Sequence, residues 1–289
     1  MFKNMKLRWK ILLCLIGLSI VPLALTLVLM SDFTGSIINR DMLLVANKTS
    51  RYVEQSTQTA KRELTNYVAL ITSGADMVNA TYYATLTGDA DQLTGLMAGV
   101  ADRYHLDLIK VIDKQGNPIL RKLRNGEDIP ETSGSDHPVV QKTLAGEASA
   151  MIGEIDGQTA IVVAAPIKLQ DQPVGHLLAA TFIDDEFAQT VAELSGTDVA
   201  FVNGDTIVAS THEGMRSVDL ASLKHSGSLQ VTMNDEPYVL FYNQLGDTGL
   251  GFIMAENRDM ELSAKQQMSR LLGTIAIVAI LIAVLLGVV

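Results

Sequence analysis

Residues 159–187 read TAIVVAAPIKLQDQPVGHLLAATFIDDEF, and this stretch decides the fold. Two apolar runs flank a polar turn at 170–172, which is the pattern of two antiparallel strands joined by a short turn. Asp184 or Asp185 follows the second run directly and is placed to cap a helix that ends at Leu194. The stretch therefore predicts an antiparallel hairpin that continues straight into a helix.

Two strands, a helix and a third strand are predicted before this hairpin. Asp136 is placed to cap the helix, and Pro138 is favoured in its first turn. The third strand ends at Asp156-Gly157, a dipeptide typical of two-residue hairpin turns. These four elements are predicted at 106–113, 118–124, 136–144 and 148–155.

The same order of elements returns in a shorter second copy. Residues 104–195 form the first copy and 196–257 the second, and each copy runs strand, turn, strand, helix, then three antiparallel strands. An Asn203-Gly204 turn separates the first two strands of the second copy. The order of elements supports this repeat, without residue identities. The sequence therefore predicts an α+β fold with two tandem antiparallel-sheet modules.

A long helical segment, residues 31–103, precedes the modules. A helix is predicted from 31 to about 86, and a shorter second helix follows it to 103. The long helix carries an apolar stripe at helical spacing, which must pack on the sheet, on a partner helix, or on both. The near-heptad spacing favours a homodimer through this helix. The stripe consists of Leu64, Val68, Ile71, Ala75, Val78, Tyr82 and Leu86.

Two uncharged apolar segments are predicted to span a membrane. Residues 11–30 and 271–289 are each about 30 Å long as helices, the thickness of a bilayer hydrocarbon core. Residues 1–10 carry four cations, which predicts a cytoplasmic tail and places 31–270 outside the membrane. A cleaved signal peptide is the alternative for the first segment. Residues 258–270 are predicted to form a helix that connects the second module to the second span.

Charge and motif content exclude several classes of function. Four of the 22 Lys and Arg residues precede the first span, so 18 remain beside all 32 Asp and Glu residues in 31–270. This acidic segment disfavours nucleic-acid binding. The five His residues have no metal-ligand spacing, and no nucleotide-binding or hydrolase motif occurs. No enzyme activity, cofactor or metal site is expected, and the single Cys14 excludes a disulfide framework within the chain.

Three stretches resemble the double Cache sensor domains of bacterial transmembrane receptors, which are built from PAS-like modules. They are DLIKVIDKQGNPIL (107–120), DHPVVQKTLAGEA (136–148) and the stretch quoted first. The resemblance covers 31–270. It implies that the first module is membrane-distal and binds a small molecule, and that the second is membrane-proximal and relays the signal through the last span.

The resemblance also implies a location and a signalling partner. The chain would lie in a bacterial inner membrane with 31–270 extracytoplasmic. It would be the sensory half of a longer protein, with a cytoplasmic output module beyond Val289. That module would be a chemotaxis transducer, a histidine kinase or a cyclic-dinucleotide enzyme.

Candidate ligand-binding residues lie in the first module. Arg121 stands where related carboxylate sensors place a basic residue, although a solvated strand end explains it equally. Tyr104 and His105 precede the first strand, and Thr181 lies in the last one; each has an ordinary packing or backbone-bonding explanation. Asp184 could contact a ligand amine or simply cap the helix.

The fourth strand of the first module bears on the class of ligand. The related single-module sensors of citrate and dicarboxylates carry basic residues on the fourth strand, whereas 161–165 is wholly apolar here. This disfavours a multi-carboxylate ligand and favours a smaller or partly apolar one, such as a small carboxylate with one acid group. The alternative is a structural or interaction module of the cell envelope without a small-molecule ligand.

Overall fold

The computed structural model describes residues 44–124, 137–246, 248–259 and single positions between 262 and 281. It divides into two compact units. One comprises Lys48–Leu229 and Leu240–Ala255. The other includes Gln230–Val239 and the described residues from Glu256 onward.

Three helices lead into the first sheet. In the described residues they are α1 (44–73), α2 (Ala75–Thr87) and α3 (Asp91–Tyr104). The predicted single helix over 31–86 is wrong in its described part, because Gly74 interrupts it with extended backbone at φ −69° and ψ 131°. Glycine is among the poorest helix formers, since it has most backbone entropy to lose. Its carbonyl then accepts from Val78 N–H at 3.0 Å and starts α2.

The first sheet is antiparallel and five-stranded, with strand order β2-β1-β5-β4-β3. The β3–β4 turn consists of Asp156 and Gly157, whose φ angles of 52° and 75° fit the predicted two-residue hairpin. The strands are β1 (Leu108–Ile112), β2 (Pro118–Leu123), β3 (Ser149–Ile155), β4 (Gln158–Leu169) and β5 (Gln172–Phe182). Helix α4 (Pro138–Leu144) lies between β2 and β3 in the chain, and α5 (Asp185–Ser195) follows β5.

Helix α4 covers one face of this sheet. Val139 and Val140 of α4 form a buried core with alternate residues of the strands, among them Leu108, Leu178 and Ala180. The predicted cap at Asp136 is corrected: the N-cap is His137, whose Nδ1 accepts from Val139 N–H at 3.3 Å. An imidazole nitrogen can accept this hydrogen bond as a carboxylate does.

Helix α2 packs against the opposite face. A side chain at Gly175 of β5 would meet Thr81 of α2. Since side chains alternate between the two faces of a strand, the odd-numbered residues of β5 face α2. Leu64, Val68, Ile71 and Val78 of the predicted stripe are buried within their own chain, whereas Tyr82 and Leu86 are exposed. The alternative that the stripe covers its own domain is therefore correct for those four residues.

The second sheet repeats the topology of the first, with strand order β7-β6-β10-β9-β8. This confirms the predicted repeat and the α+β class. Its strands are β6 (Asp198–Asn203), β7 (Thr206–Ser210), β8 (Ser228–Met233), β9 (Glu236–Gln244) and β10 (Leu250–Asn257). A 3₁₀ helix (Glu213–Ser217) and α6 (Leu220–Ser226) lie between β7 and β8 in the chain.

In the smaller unit, the start of β9 is bonded to the end of β10. Asn257 donates from Nδ2 to Glu236 Oε2 at 2.6 Å, and Arg258 N–H donates to the Pro237 carbonyl at 2.8 Å. Residues described after this point, from 259 to 281, are helical. The strand thus passes directly into helical backbone, as the predicted connecting helix requires.

The predicted spans fall largely outside the described residues. Segment 11–30 lies wholly outside them, and only single positions of 271–289 are described. Within the part of the chain that the structure describes, no helix is both long enough and apolar enough to cross a bilayer.

Candidate functional site

A buried group of charged side chains lies on the α4 face of the first sheet. Lys110 is central in β1, and Arg121 stands directly opposite it on β2. Both cations converge on the carboxylate of Asp156 in the β3–β4 turn. Lys110 Nζ lies 2.8 Å from Oδ1, and Arg121 Nη2 lies 3.0 Å from Oδ2. We call these three residues the cationic cluster.

The cluster joins residues that are distant along the chain and across the sheet. Strands β5 and β4 separate β1 from β3, so the sheet must curl around this face for Asp156 to reach Lys110. Only 3% of Lys110 and 2% of Asp156 is exposed, whereas the Arg121 side chain is 20% exposed. Charges this buried require paired partners. Arg121 is therefore the member that an arriving molecule can reach first.

Two histidines border the cluster and α4. Burial lowers the pKa of His137, and the Lys110 charge adds to this effect, whereas a bond to the Glu154 backbone and the Asp156 charge oppose it. His176 of β5 is 2% exposed, and its Nδ1 lies 3.5 Å from Thr143 Oγ1 of α4. Burial lowers the pKa of His176 as well, against the Asp113 charge. Both rings are therefore neutral at neutral pH.

Three of the predicted ligand residues lie elsewhere. Thr181 alternates with Ala180 along β5, so it faces away from the α4 side. Tyr104 stacks on Tyr67 of α1 with ring centroids 4.8 Å apart. His105 ends α3 in the left-handed region, at φ 51°. The structure thus places Thr181 on the opposite face of the sheet from Arg121, and it gives Tyr104 a packing role and His105 a backbone role.

Asp184 acts as the N-cap of α5. Its Oδ1 accepts from Phe187 N–H at 2.9 Å, which is the helix-cap alternative from the sequence. The neighbouring Asp185 accepts from Ser210 N–H at 2.8 Å and pairs with Arg216 at 2.7 Å. The two aspartates therefore divide their roles, since one caps α5 and the other attaches β7 and the 3₁₀ helix.

Sequence reasoning missed Lys110, Asp156, His137 and His176. A signal existed for Lys110, because a lone cation inside the apolar strand LIKVI is unusual in a buried position. Asp156 was explained fully by its turn. No local sequence pattern indicated that Lys110 and Asp156, which are 46 positions apart, would pair.

An open depression of about 550 Å³ lies beside the second sheet. Its charged groups serve the fold: Asp205 pairs with Lys224, Arg216 with Asp185, and Asp219 caps α6. The depression is lined by Asp205, Thr206, Ile207, Arg216, Val218, Asp219, Leu220 and Ala221. We therefore favour the α4 face of the first sheet as the functional site. Among the described residues, no group of His, Cys, Asp and Glu side chains could hold a metal ion.

Residues 77–202 match the family model of the CHASE4 domain. No curated protein sequence matches the chain. The sensory domain of the Campylobacter jejuni chemoreceptor Tlp3 shares 14% identity, with 79% of this chain and 98% of that chain covered and a TM-score of 0.50. The periplasmic domain of Vibrio cholerae LuxQ shares 16% identity, covering 72% and 98% of the two chains, with a TM-score of 0.47.

The sensor domain of the Vibrio cholerae histidine kinase DctB shares 11% identity, covering 77% of this chain and 98% of that one, with a TM-score of 0.48. The described part of the chain has two sheets of equivalent strand order, preceded by helices. The CHASE4 match and the likeness to the Tlp3 domain together confirm the sequence-based prediction that the chain carries the fold of a Cache-type sensory domain.

Proposed function

We propose that this chain is the extracytoplasmic ligand-sensing part of a transmembrane signal-transduction receptor, and that its small-molecule ligand binds at the cationic cluster. The cluster is the observation that carries the proposal. Buried ion pairs are poor stabilisers, because desolvating the charges offsets most of their attraction. A Lys-Asp-Arg group under a seven-residue helix is therefore better explained by recognition than by stability.

The cluster suits a small carboxylate. A guanidinium offers paired N–H donors whose geometry matches the carboxylate of a ligand. The Lys110 ammonium lies close to the Arg121 guanidinium, since both donate to the carboxylate of Asp156. Partly buried apolar side chains, Leu123, Met151 and Phe182, pack against the core beside the cluster and suit an apolar ligand body. The Tlp3 domain has been solved with isoleucine bound, a molecule of this chemical class.

Contacts between the two sheets support a relay from the first to the second. Asn203, at the end of β6, donates from Nδ2 to Thr159 Oγ1 at 3.1 Å. Thr159 lies three residues after Asp156, on the strand that leaves the cluster. We propose that the signal continues through 258–270 and a second span at 271–289 to an output module beyond Val289, in a homodimer in the bacterial inner membrane.

A thermal-shift screen of the full chain in detergent tests this function. Small monocarboxylates and amino acids are the probes, and a ligand at about 100 times its Kd adds about 2.7 kcal/mol to the free energy of unfolding. Arg121→Ala should abolish the shift. Lys122→Ala is the matched control, because Lys122 is its neighbour on the same strand with the opposite orientation.

The outcomes separate the competing functions. A shift in the wild type and in Lys122→Ala, but not in Arg121→Ala, supports binding at the cluster. A full shift in Arg121→Ala would remove Arg121 from the site. No shift with any probe is the result expected of an envelope structural module, and it would contradict the sensing proposal.

A further inference from the structure

Helix α4 is attached to the first sheet through two histidines. His137 is its N-cap, and its Nδ1 accepts from Val139 N–H. His176 reaches the middle of the helix from β5, where its Nδ1 faces Thr143 Oγ1 at 3.5 Å. Both Thr143 and His176 are buried. A helix of seven residues has little stability of its own, so these attachments decide whether it stays in place.

The cap at His137 exists only while the ring is neutral. The ring also hydrogen-bonds the backbone of Glu154, and its Nε2 lies beside β3 at Gly153. A neutral imidazole can donate from Nε2 and accept at Nδ1 at the same time. An imidazolium carries hydrogen on both nitrogens and repels the Val139 N–H. Protonation therefore removes the cap.

Charged groups around both rings determine the cost of protonation. Lys110 of β1 and Asp156 of the β3–β4 turn act on His137 with opposite sign, and Arg121 of β2 pairs with that same Asp156. Asp113, which follows β1, is the charge that acts on His176. Lys142 of α4 itself is exposed. His137 thus faces a neighbourhood that already holds two cations and one carboxylate.

We propose that acid releases α4 from the first sheet and uncovers the cationic cluster, because protonation of His137 removes the N-cap and a charged His176 is costly to keep buried beneath the helix. The consequence for ligand binding rests on the function proposed above, whereas the release of the helix does not. Binding at the cluster is then controlled by the pH outside the cell. Protons thus control access to the site in the wild-type chain.

The direction of the pH effect follows from the two rings. Burial is the main cause that lowers both pKa values below the ordinary value of about 6.5. The released helix binds protons more readily than the attached one. The stability that the neutral rings contribute is therefore present above about pH 6.5 and is lost as the pH falls through the lowered pKa values. In that window the opening constant rises by up to about tenfold per pH unit for each histidine.

Amide hydrogen exchange on the full chain in detergent, without any ligand, tests the release. Exchange of the amides of residues 139–145 is compared with that of β4 in the same sample, which removes the intrinsic effect of pH on exchange. From about pH 7.5 to about pH 5 the ratio of the two should rise at least about tenfold. His137→Asn should flatten much of this rise, since asparagine caps a helix at any pH. His225→Asn, an exposed histidine of α6, is the matched control and should keep the full rise.

Each outcome decides the proposal. A pH-dependent rise that His137→Asn reduces and His225→Asn keeps supports it. A wild-type ratio that stays constant with pH overturns it, and so does an unchanged rise in His137→Asn. If His137→Asn does not fold, the wild-type profile decides alone. Because no ligand is present, failure here leaves the sensing function to be judged by the thermal-shift screen.

Discussion

At the scale of single residues, the buried cation Lys110 requires a counter-charge close to it. Removing an ammonium from water costs several kcal/mol, and the Asp156 carboxylate at 2.8 Å offsets this cost. The Asp156 side chain is fully buried and also holds Arg121. Two cations from two neighbouring strands, Lys110 and Arg121, therefore depend on one carboxylate.

Asp156→Asn should lower the free energy of unfolding by about 3–5 kcal/mol, because it leaves a buried ammonium without its counter-charge. Asparagine tolerates the left-handed backbone of this turn as aspartate does, so the change tests the charge alone. Urea unfolding followed by circular dichroism measures the effect. Asp205→Asn removes the partner of Lys224 at 2.8 Å on a side chain that is 95% exposed, and should leave the midpoint unchanged. Equal midpoints for Asp156→Asn and wild type would contradict this account.

At the scale of elements, α2 and β5 meet at Gly175. A Cβ atom built there would lie 2.8 Å from the Ile112 carbonyl oxygen and 2.8 Å from Thr81 Cγ2. The absence of a side chain is what lets the helix lie this close to the strand. The face of the first sheet that packs against α2 thus depends on a close backbone approach, whereas the α4 face combines an apolar core with polar attachments.

Gly175→Ala should destabilise the protein by about 1–3 kcal/mol, because the backbone of β1 cannot move away from the added methyl group without breaking the ladder. Gly153→Ala in β3 is the matched control, since its nearest neighbour is the flexible Met151 side chain at 3.5 Å. That variant should unfold at the wild-type temperature or slightly above it. Differential scanning calorimetry on both variants gives the comparison. Similar melting temperatures for the two would show that the close approach at Gly175 is relaxed at no cost.

At the scale of the whole molecule, the apolar surface left on the helices bears on assembly. Leu44 of α1 is 58% exposed and Leu86 of α2 is 67% exposed, while most of the long stripe is buried within its own chain. The face available for a second copy is therefore not the stripe that the sequence indicated. Exposed side chains of α1, including Leu44 and Arg51, lie on it.

Single cysteines at Leu44 and Arg51 should form disulfide-linked dimers in membranes under mild oxidation if two chains pair along α1. A cysteine at Val53 is the control, because that side chain is fully buried and cannot reach a partner. Non-reducing gel electrophoresis reads the result. Absence of dimers at both exposed positions would contradict pairing through this helix. Ile37, which precedes Leu44 by the same seven-residue spacing and is a third site for a cysteine, lies outside the described residues.

Most of the fold could be predicted from the sequence because its signals are local. The Asp156-Gly157 turn, the Asp184 cap and the apolar runs around 170–172 each act within a few residues, so the hairpins and α5 were predicted correctly. The repeated order of elements then indicated two equivalent sheets, and both have it. The site was predictable only at Arg121, where the resemblance to a sensor family indicated a basic residue.

What the sequence by itself determined was therefore the type and order of the elements. Only the tertiary structure decided which side chains meet, because strand order and curl bring Lys110 to Asp156 while the alternation of β5 turns Thr181 to the other face. It also decided that Leu64 and Val68 face their own domain rather than a partner. Turn and cap chemistry is encoded within four or five residues, whereas a partner 46 positions away is selected by the packing of the whole sheet.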